Sequence, residues 1–346
     1  FDGRDIFFFD DASSSLPETR NSDQREKAER PQTAELRFDP LSSEWITVAS
    51  HRQSRAFLPP AHVCPLCPTS KDNLSELPDL FDVAVFENKG PAFGPGFGEI
   101  DQPNGQRFGF ATNSFGRCEV VVFSPEHEGS LGAMPVERIR TVIGAWMNRT
   151  AELQALDGVV QVFPFENRGE EIGVTLHHPH GQIYAYPFIT PVTKKLLSSI
   201  ESYSGDFFAD LHSYEHGSER VVIDSENFTA YVPYAARWPL ELHLMPKRGV
   251  SDLSQLAASE ADELADVYKR ILSGLDKLYS GPTPYISAWH QAPMIENRER
   301  IRLMLQITSP RRAEDKLKYL AGSESAMGAF VGDLAPEDTA NRLREV

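Results

Sequence analysis

Apolar positions along this chain fall into two successive patterns of the same kind. The run Glu119-Val120-Val121-Val122-Phe123 is β-branched and predicts a buried strand, and Ser124-Pro125-Glu126-His127 predicts the turn that ends it. Over residues 135–155 the apolar positions Val136, Ile139, Val142, Ile143 and Trp146 recur at helical spacing, which predicts an amphipathic helix. A strand over 159–165, a glycine-bearing loop and a second strand over 181–186 follow. The same order returns downstream. A strand over 240–247 leads to a helix over 253–279, with Leu256, Leu264, Val267, Ile271 and Leu275 on one face. Two strands over 285–290 and 301–307 close the second pattern.

This repetition predicts an α+β fold of two duplicated halves in tandem, each an antiparallel sheet backed by a long helix. The first half is expected over residues 35–192 and the second over 193–346. Ahead of them, residues 1–34 read as an exposed, partly mobile N-terminal extension, since 11–35 are rich in Ser, Asp, Glu, Arg and Gln. Two short strands, near 36–40 and 45–49, are expected to open the first half around a turn at 40–43. Residues 90–109 are dense in Gly, Pro and Phe and read as a loop.

Composition adds limits. The 346 residues are 40% hydrophobic and 24% charged, as in a globular protein. No segment approaches the roughly 18–20 apolar residues that span a bilayer, so no membrane partner is expected. The opening Phe1-Asp2-Gly3-Arg4 and the short run Phe7-Phe8-Phe9 do not make a signal peptide, and a cytoplasmic location is expected. A net charge of −16 disfavours nucleic acid. Cationic residues near any phosphate site gain weight for that reason. Three cysteines argue against a disulfide framework, and Cys118 reads as a core residue.

The densest chemical signal is His177-His178-Pro179-His180-Gly181-Gln182. His178 and His180, two apart on a strand, share a face. Gly181 permits close approach of a phosphate or another backbone. A neutral imidazole can attack phosphorus, and Gln182 can bond a phosphoryl oxygen without protonating a leaving group. Cys64-Pro65-Leu66-Cys67 fits either a tetrahedral metal turn or a redox pair. As a metal turn it needs two distant ligands, for which His127 and His178 are the candidates, with zinc the expected ion. Arg52 and Arg55, in His51-Arg52-Gln53-Ser54-Arg55, suit phosphate oxygens. Phe86 and Asn88, at a strand end, could stack on and hydrogen-bond a base.

Together these residues resemble the galactose-1-phosphate uridylyltransferase family, a branch of the histidine-triad superfamily. The likeness runs from about residue 35 to 346. Its most specific elements are Phe165-Glu166-Asn167-Arg168-Gly169, His178-Pro179-His180-Gly181-Gln182 and Phe123-Ser124-Pro125-Glu126-His127. Val232 to Pro239 and Trp289-His290-Gln291-Ala292-Pro293 add support. The resemblance implies two tandem histidine-triad-like halves and a ping-pong reaction. In it, His180 takes a uridylyl group from UDP-glucose and passes it to galactose 1-phosphate, while Gln182 binds the transferred phosphoryl group. It places Arg52, Arg55, Asn167 and Thr175 around the phosphates and Leu66, Phe86 and Asn88 at the uridine. It also implies zinc on Cys64, Cys67, His127 and His178, and a homodimer in which Lys318, Ser323 and Glu324 reach the sugar of the partner subunit. One departure stands out. Some members bind a second metal in the C-terminal half, but here Met304 and Gln306 stand where paired histidines would. No iron or zinc is expected there, and His290 is expected to be structural.

Overall fold

The computed structural model describes residues 2–20, 23, 34–50, 59–95 and 108–346. Arg52 and Arg55, and much of the loop expected over 90–109, lie outside the described residues.

One antiparallel sheet of ten strands organises the chain. The first half contributes β1 (Ile6–Phe9), β4 (Val83–Glu87), β6 (Arg117–Val122), β7 (Gln161–Arg168) and β8 (His180–Tyr186). The second contributes β9 (Val221–Asp224), β10 (Phe228–Tyr231), β11 (Leu240–Pro246), β12 (Tyr285–His290) and β13 (Met304–Ser309). Their order across the sheet is β1-β4-β6-β8-β7-β12-β13-β11-β10-β9. The halves therefore meet where β7 pairs with β12, and each runs outward through strands in the same relative order. A separate three-stranded sheet joins β2 (Glu35–Asp39), β3 (Glu44–Val48) and β5 (Ala111–Asn113).

Helix α1 (Val136–Gln154) connects β6 to β7, and α4 (Ala258–Lys277) connects β11 to β12. Both are long and amphipathic for the reason that the sequence suggests. Ile139, Val142, Ile143, Trp146 and Leu153 line the buried face of α1; Ala261, Leu264, Tyr268, Ile271 and Leu275 line that of α4. The two faces close over the sheet in one core, with Trp146, Tyr268 and Trp289 in mutual ring contact. Shorter helices α2 (Pro191–Ser202), α3 (Phe207–His216), α5 (Gly322–Met327) and α6 (Pro336–Arg344) complete the second half.

Two sequence expectations change. Within the stretch expected as an exposed, partly mobile extension, residues 6–9 form a strand of the main sheet: β1 pairs with β4, from Ile6↔Phe86 to Phe9↔Val83. Beyond β1, Asp11 accepts hydrogen bonds from Arg138 and Thr141 of α1, and Arg20 donates to the Leu80 carbonyl. The last predicted strand starts later than expected, at Met304, because Ile301 caps a 3-10 turn and Leu303 bonds Val250 outside the ladder.

Candidate functional site

Two adjacent constellations form where the first half's loops converge. In the first, Cys64 and Cys67 lie on the turn before β4, His127 follows β6, and His178 precedes β8. Their donor atoms all lie within 4.8 Å of one another. Cys67 Sγ is 3.5 Å from Nδ1 of both His127 and His178, and Cys64 Sγ is 3.8 Å from His178 Nδ1. A tetrahedral ion with bonds of about 2.3 Å to sulfur and about 2.0–2.1 Å to nitrogen holds such ligands roughly 3.6 Å apart. The four side chains therefore fit a metal ion.

The surroundings prepare them for it. His178 Nε2–H donates to the Ser124 carbonyl at 2.8 Å, which leaves the Nδ1 lone pair facing the sulfurs. Burial lowers the His178 pKa to about 4, so the ring is neutral and able to ligate. Burial and the neighbouring Cys64 push the Cys67 thiol up to about 12. Two thiolates are costly in this pocket unless a cation joins them. The Leu66 amide points at Cys64 Sγ at 3.4 Å, and Asn73 Nδ2 donates to the Cys64 carbonyl at 2.8 Å, which fixes the turn. A redox pair would have no need of two histidines converging on the sulfurs.

The second constellation begins two residues on. His180 opens β8, and its Nδ1–H donates to the His178 carbonyl at 2.8 Å. Nε2 therefore carries the lone pair. Burial holds the ring's pKa below the usual histidine range, opposed by that same hydrogen bond. His180 lines a cavity of about 540 Å³ together with Asn167, Gly169, Glu170, His177 and Thr283. Strand alternation puts Gln182 on the same face of the sheet as His180. Cross-strand neighbours fix both: Val122 stands opposite His180, and Val120 and Phe165 flank Gln182. Between them, Gly181 answers a steric demand. A Cβ there would come within 2.9 Å of the Phe165 carbonyl and of the Phe123 ring, so it is the β7 backbone that approaches closely.

The other expected residues divide. Leu66 and Phe86 meet in a buried apolar cluster with Cys64, beside the metal cradle. Asn88 caps the turn after β4, accepting from the Gly90 amide at 2.9 Å. Thr175 is half-buried in the segment leading to His178. Lys318, Ser323 and Glu324 are not brought to the cavity. The Lys318 ammonium is buried against the Val331 carbonyl and Glu324, and Ser323 donates to the Ala329 carbonyl at 2.8 Å. In the second half, Met304 and Gln306 of β13 stand opposite His290 and Ala288 of β12. Gln306 bonds His290 at 3.1 Å and Glu241 at 2.8 Å.

Sequence reasoning missed two buried acids. Glu119 and Arg149 form a two-pronged ion pair at 2.8 and 2.9 Å beneath β1. Glu166, inside the motif Phe165-Glu166-Asn167, lines the cavity and accepts from the Tyr285 hydroxyl at 3.1 Å. Neither partner is near in sequence, so no local pattern announces the pair.

The profile for the N-terminal domain of galactose-1-phosphate uridyl transferase matches residues 23–190, and that for its C-terminal domain matches residues 200–346. The chain belongs to this family. A galactose-1-phosphate uridylyltransferase from Streptomyces lividans is 38% identical over all of this chain and 96% of its own length. Among solved structures, a uridylyltransferase superposes with a TM-score of 0.81 at 30% identity, covering 90% of this chain and 98% of its own. An ADP-glucose phosphorylase from Arabidopsis thaliana, solved with bound ADP-glucose, superposes at 0.67 with 25% identity, covering 90% of this chain and 99% of its own. Family membership accords with the tandem halves. No described helix is long and apolar enough to cross a membrane.

Proposed function

We propose that this chain transfers a uridylyl group from UDP-glucose to galactose 1-phosphate through a covalent intermediate on His180. One observation carries the assignment. The Nδ1–H of His180 is held by the His178 carbonyl, which leaves a neutral nitrogen lone pair on a ring that lines the cavity. Nε2 attacks the α-phosphorus, the phosphorus–oxygen bond to glucose 1-phosphate breaks, and the electron pair leaves on the phosphate oxygen. An oxygen of galactose 1-phosphate then attacks the same phosphorus, and the electron pair of the nitrogen–phosphorus bond returns to Nε2. No proton needs to move. The hydrogen bond from Nδ1 supports the positive charge that the uridylylated ring carries.

Gln182, Asn167, Thr175, Arg52 and Arg55 serve the phosphates, and Leu66, Phe86 and Asn88 serve the uracil and ribose. Lys318, Ser323 and Glu324 act on the sugar in the other subunit of a cytoplasmic homodimer. Zinc on Cys64, Cys67, His127 and His178 is structural: it ties the N-terminal turn to the strand that presents His180.

Incubation with UDP-glucose labelled in the α-phosphate, without acceptor, tests this. An acid-labile, base-stable label on the protein is expected. Label from ADP-glucose and none from UDP-glucose would instead favour a phosphorylase-like activity on an adenine nucleotide sugar, the activity named for the Arabidopsis structure.

A further inference from the structure

Glu166 is a buried acid in the cavity wall that the proposed transfer does not use. It lies on β7 between Phe165, opposite Gln182, and Asn167, and it is only 4% exposed. Strand alternation turns its side chain away from the face that carries Asn167, toward β12 and α4 of the second half. The Tyr285 hydroxyl reaches its Oε2 at 3.1 Å and is the one donor to the carboxyl among the described residues. No cation among the described residues forms an ion pair with it. Arg168, the cation whose charge acts on it, is committed to Asp276 at 2.6 Å and lies over the Tyr285 ring at 5.6 Å.

A carboxylate so deeply buried, with one hydroxyl donor and no ion pair, is poorly compensated for its lost hydration. Its neutral acid is the favoured form on geometry alone. The facing groups agree. Burial raises the pKa to about 7; Tyr285 and Arg168 pull it back, and Asp276 of α4 adds to the rise. Tyr268 of α4, the other ionisable group beside it, bonds Ser287 and stays neutral. The position is mechanically central. In the β7–β12 ladder that joins the halves, Arg168 pairs with Tyr285 and Asn167 with Ile286.

We propose that Glu166 is a positioning residue held as the neutral acid, which locks the cavity end of β7 to Tyr285 of the second half and keeps a buried, unscreened negative charge from adding to the solvent-screened Glu170 and Glu171 of the wall where a substrate phosphate binds. This rests on the transfer reading, because it takes the ligand to be a phosphate ester. A carboxylate in a low-dielectric wall repels a bound phosphate with little screening. The repulsion acts in the ground state as well as in the transition state, so it falls on KM rather than on kcat.

The test uses the full chain with its metal, as wild type, Glu166→Gln and Tyr285→Phe. In the wild type, KM for galactose 1-phosphate is expected to rise roughly tenfold as pH passes about 7, with kcat steady. Glu166→Gln, neutral at every pH, is expected to keep the low-pH KM throughout. Tyr285→Phe is expected to move the rise to higher pH, since the lost donor favours the carboxylate. The same KM profile in wild type and Glu166→Gln overturns the proposal. Difference infrared spectra of the same samples need no turnover. A carboxylic-acid C=O band that Glu166→Gln lacks, fading as pH rises through about 7, is expected. Absence of that band on the acid side overturns the role of Glu166 whether or not the transfer occurs. Absence of UDP-galactose from all three proteins, with the band present, faults the transfer reading and leaves the neutral acid standing.

Discussion

His180 donates from Nδ1 to the backbone carbonyl of His178, 2.8 Å away, while the His178 ring turns its own Nδ1 toward Cys64 and Cys67. The candidate nucleophile and the candidate metal ligand are thus joined by one short hydrogen bond and one proline. Whatever fixes His178 also fixes His180.

Removing the metal should therefore weaken both fold and activity. Chelation, or Cys64→Ser, is expected to lower metal content to below one ion per chain, to lower Tm and to slow transfer together. Metal analysis and calorimetry on the same preparation check this. Full metal content in Cys64→Ser would take that thiol out of the ligand set.

Arg149 and Glu119 are both buried and meet in a two-pronged pair, with Arg149 stacked over Phe7 at 3.9 Å. Arg149→Ala leaves Glu119 with Arg117 at 3.4 Å as its remaining cation among the described residues. A loss of about 3 kcal/mol is expected, the low end for breaking a buried pair. Denaturant unfolding measures it, and a change below about 1 kcal/mol would place this pair in the class of weak surface contacts.

Several elements were legible because their signal is local. Strands β6, β8, β11 and β12 and helices α1 and α4 each announce themselves through their own run of apolar residues. The Cys-x-x-Cys turn and the His-Pro-His-Gly-Gln string likewise carry their chemistry in adjacent positions. Strand β1 was missed for a physical reason. Its Phe7 and Phe9 pack on the main core, and its Ile6 and Phe8 pack on the cluster around Cys64. Both faces are apolar, so no alternation marks a strand, and its four residues are too few to suggest one by length. Glu166 and Tyr285 are 119 positions apart, and only the pairing of β7 with β12 brings them together.

The raised pKa of Glu166 also predicts how stability varies with pH. Unfolding returns the carboxyl to its ordinary value of 4.5 from about 7 in the fold. Between those values the native state holds more protons than the unfolded state, so this group makes stability fall as pH rises. Below the window it makes no difference; above it the loss is complete. Glu166→Gln has no carboxyl to titrate, so its Tm relative to wild type should climb across the window and then level. A constant difference would mean that Glu166 does not titrate there.

Gln182 shares a face with His180 and cannot donate a proton as histidine can. Gln182→His is expected to increase the hydrolysis of UDP-glucose in the absence of acceptor, because the new imidazole can activate water. Release of UMP against time measures it; a rate equal to the parent's would remove the role given to Gln182.

The most direct measurement is the intact mass of the protein after brief exposure to UDP-glucose, followed by peptide mapping. One added uridylyl group is expected, on the peptide containing His180, and lost on addition of galactose 1-phosphate. His180→Ala, with unchanged thermal unfolding, should gain no mass. A uridylyl group on any other residue, or its retention in His180→Ala, would contradict the assignment.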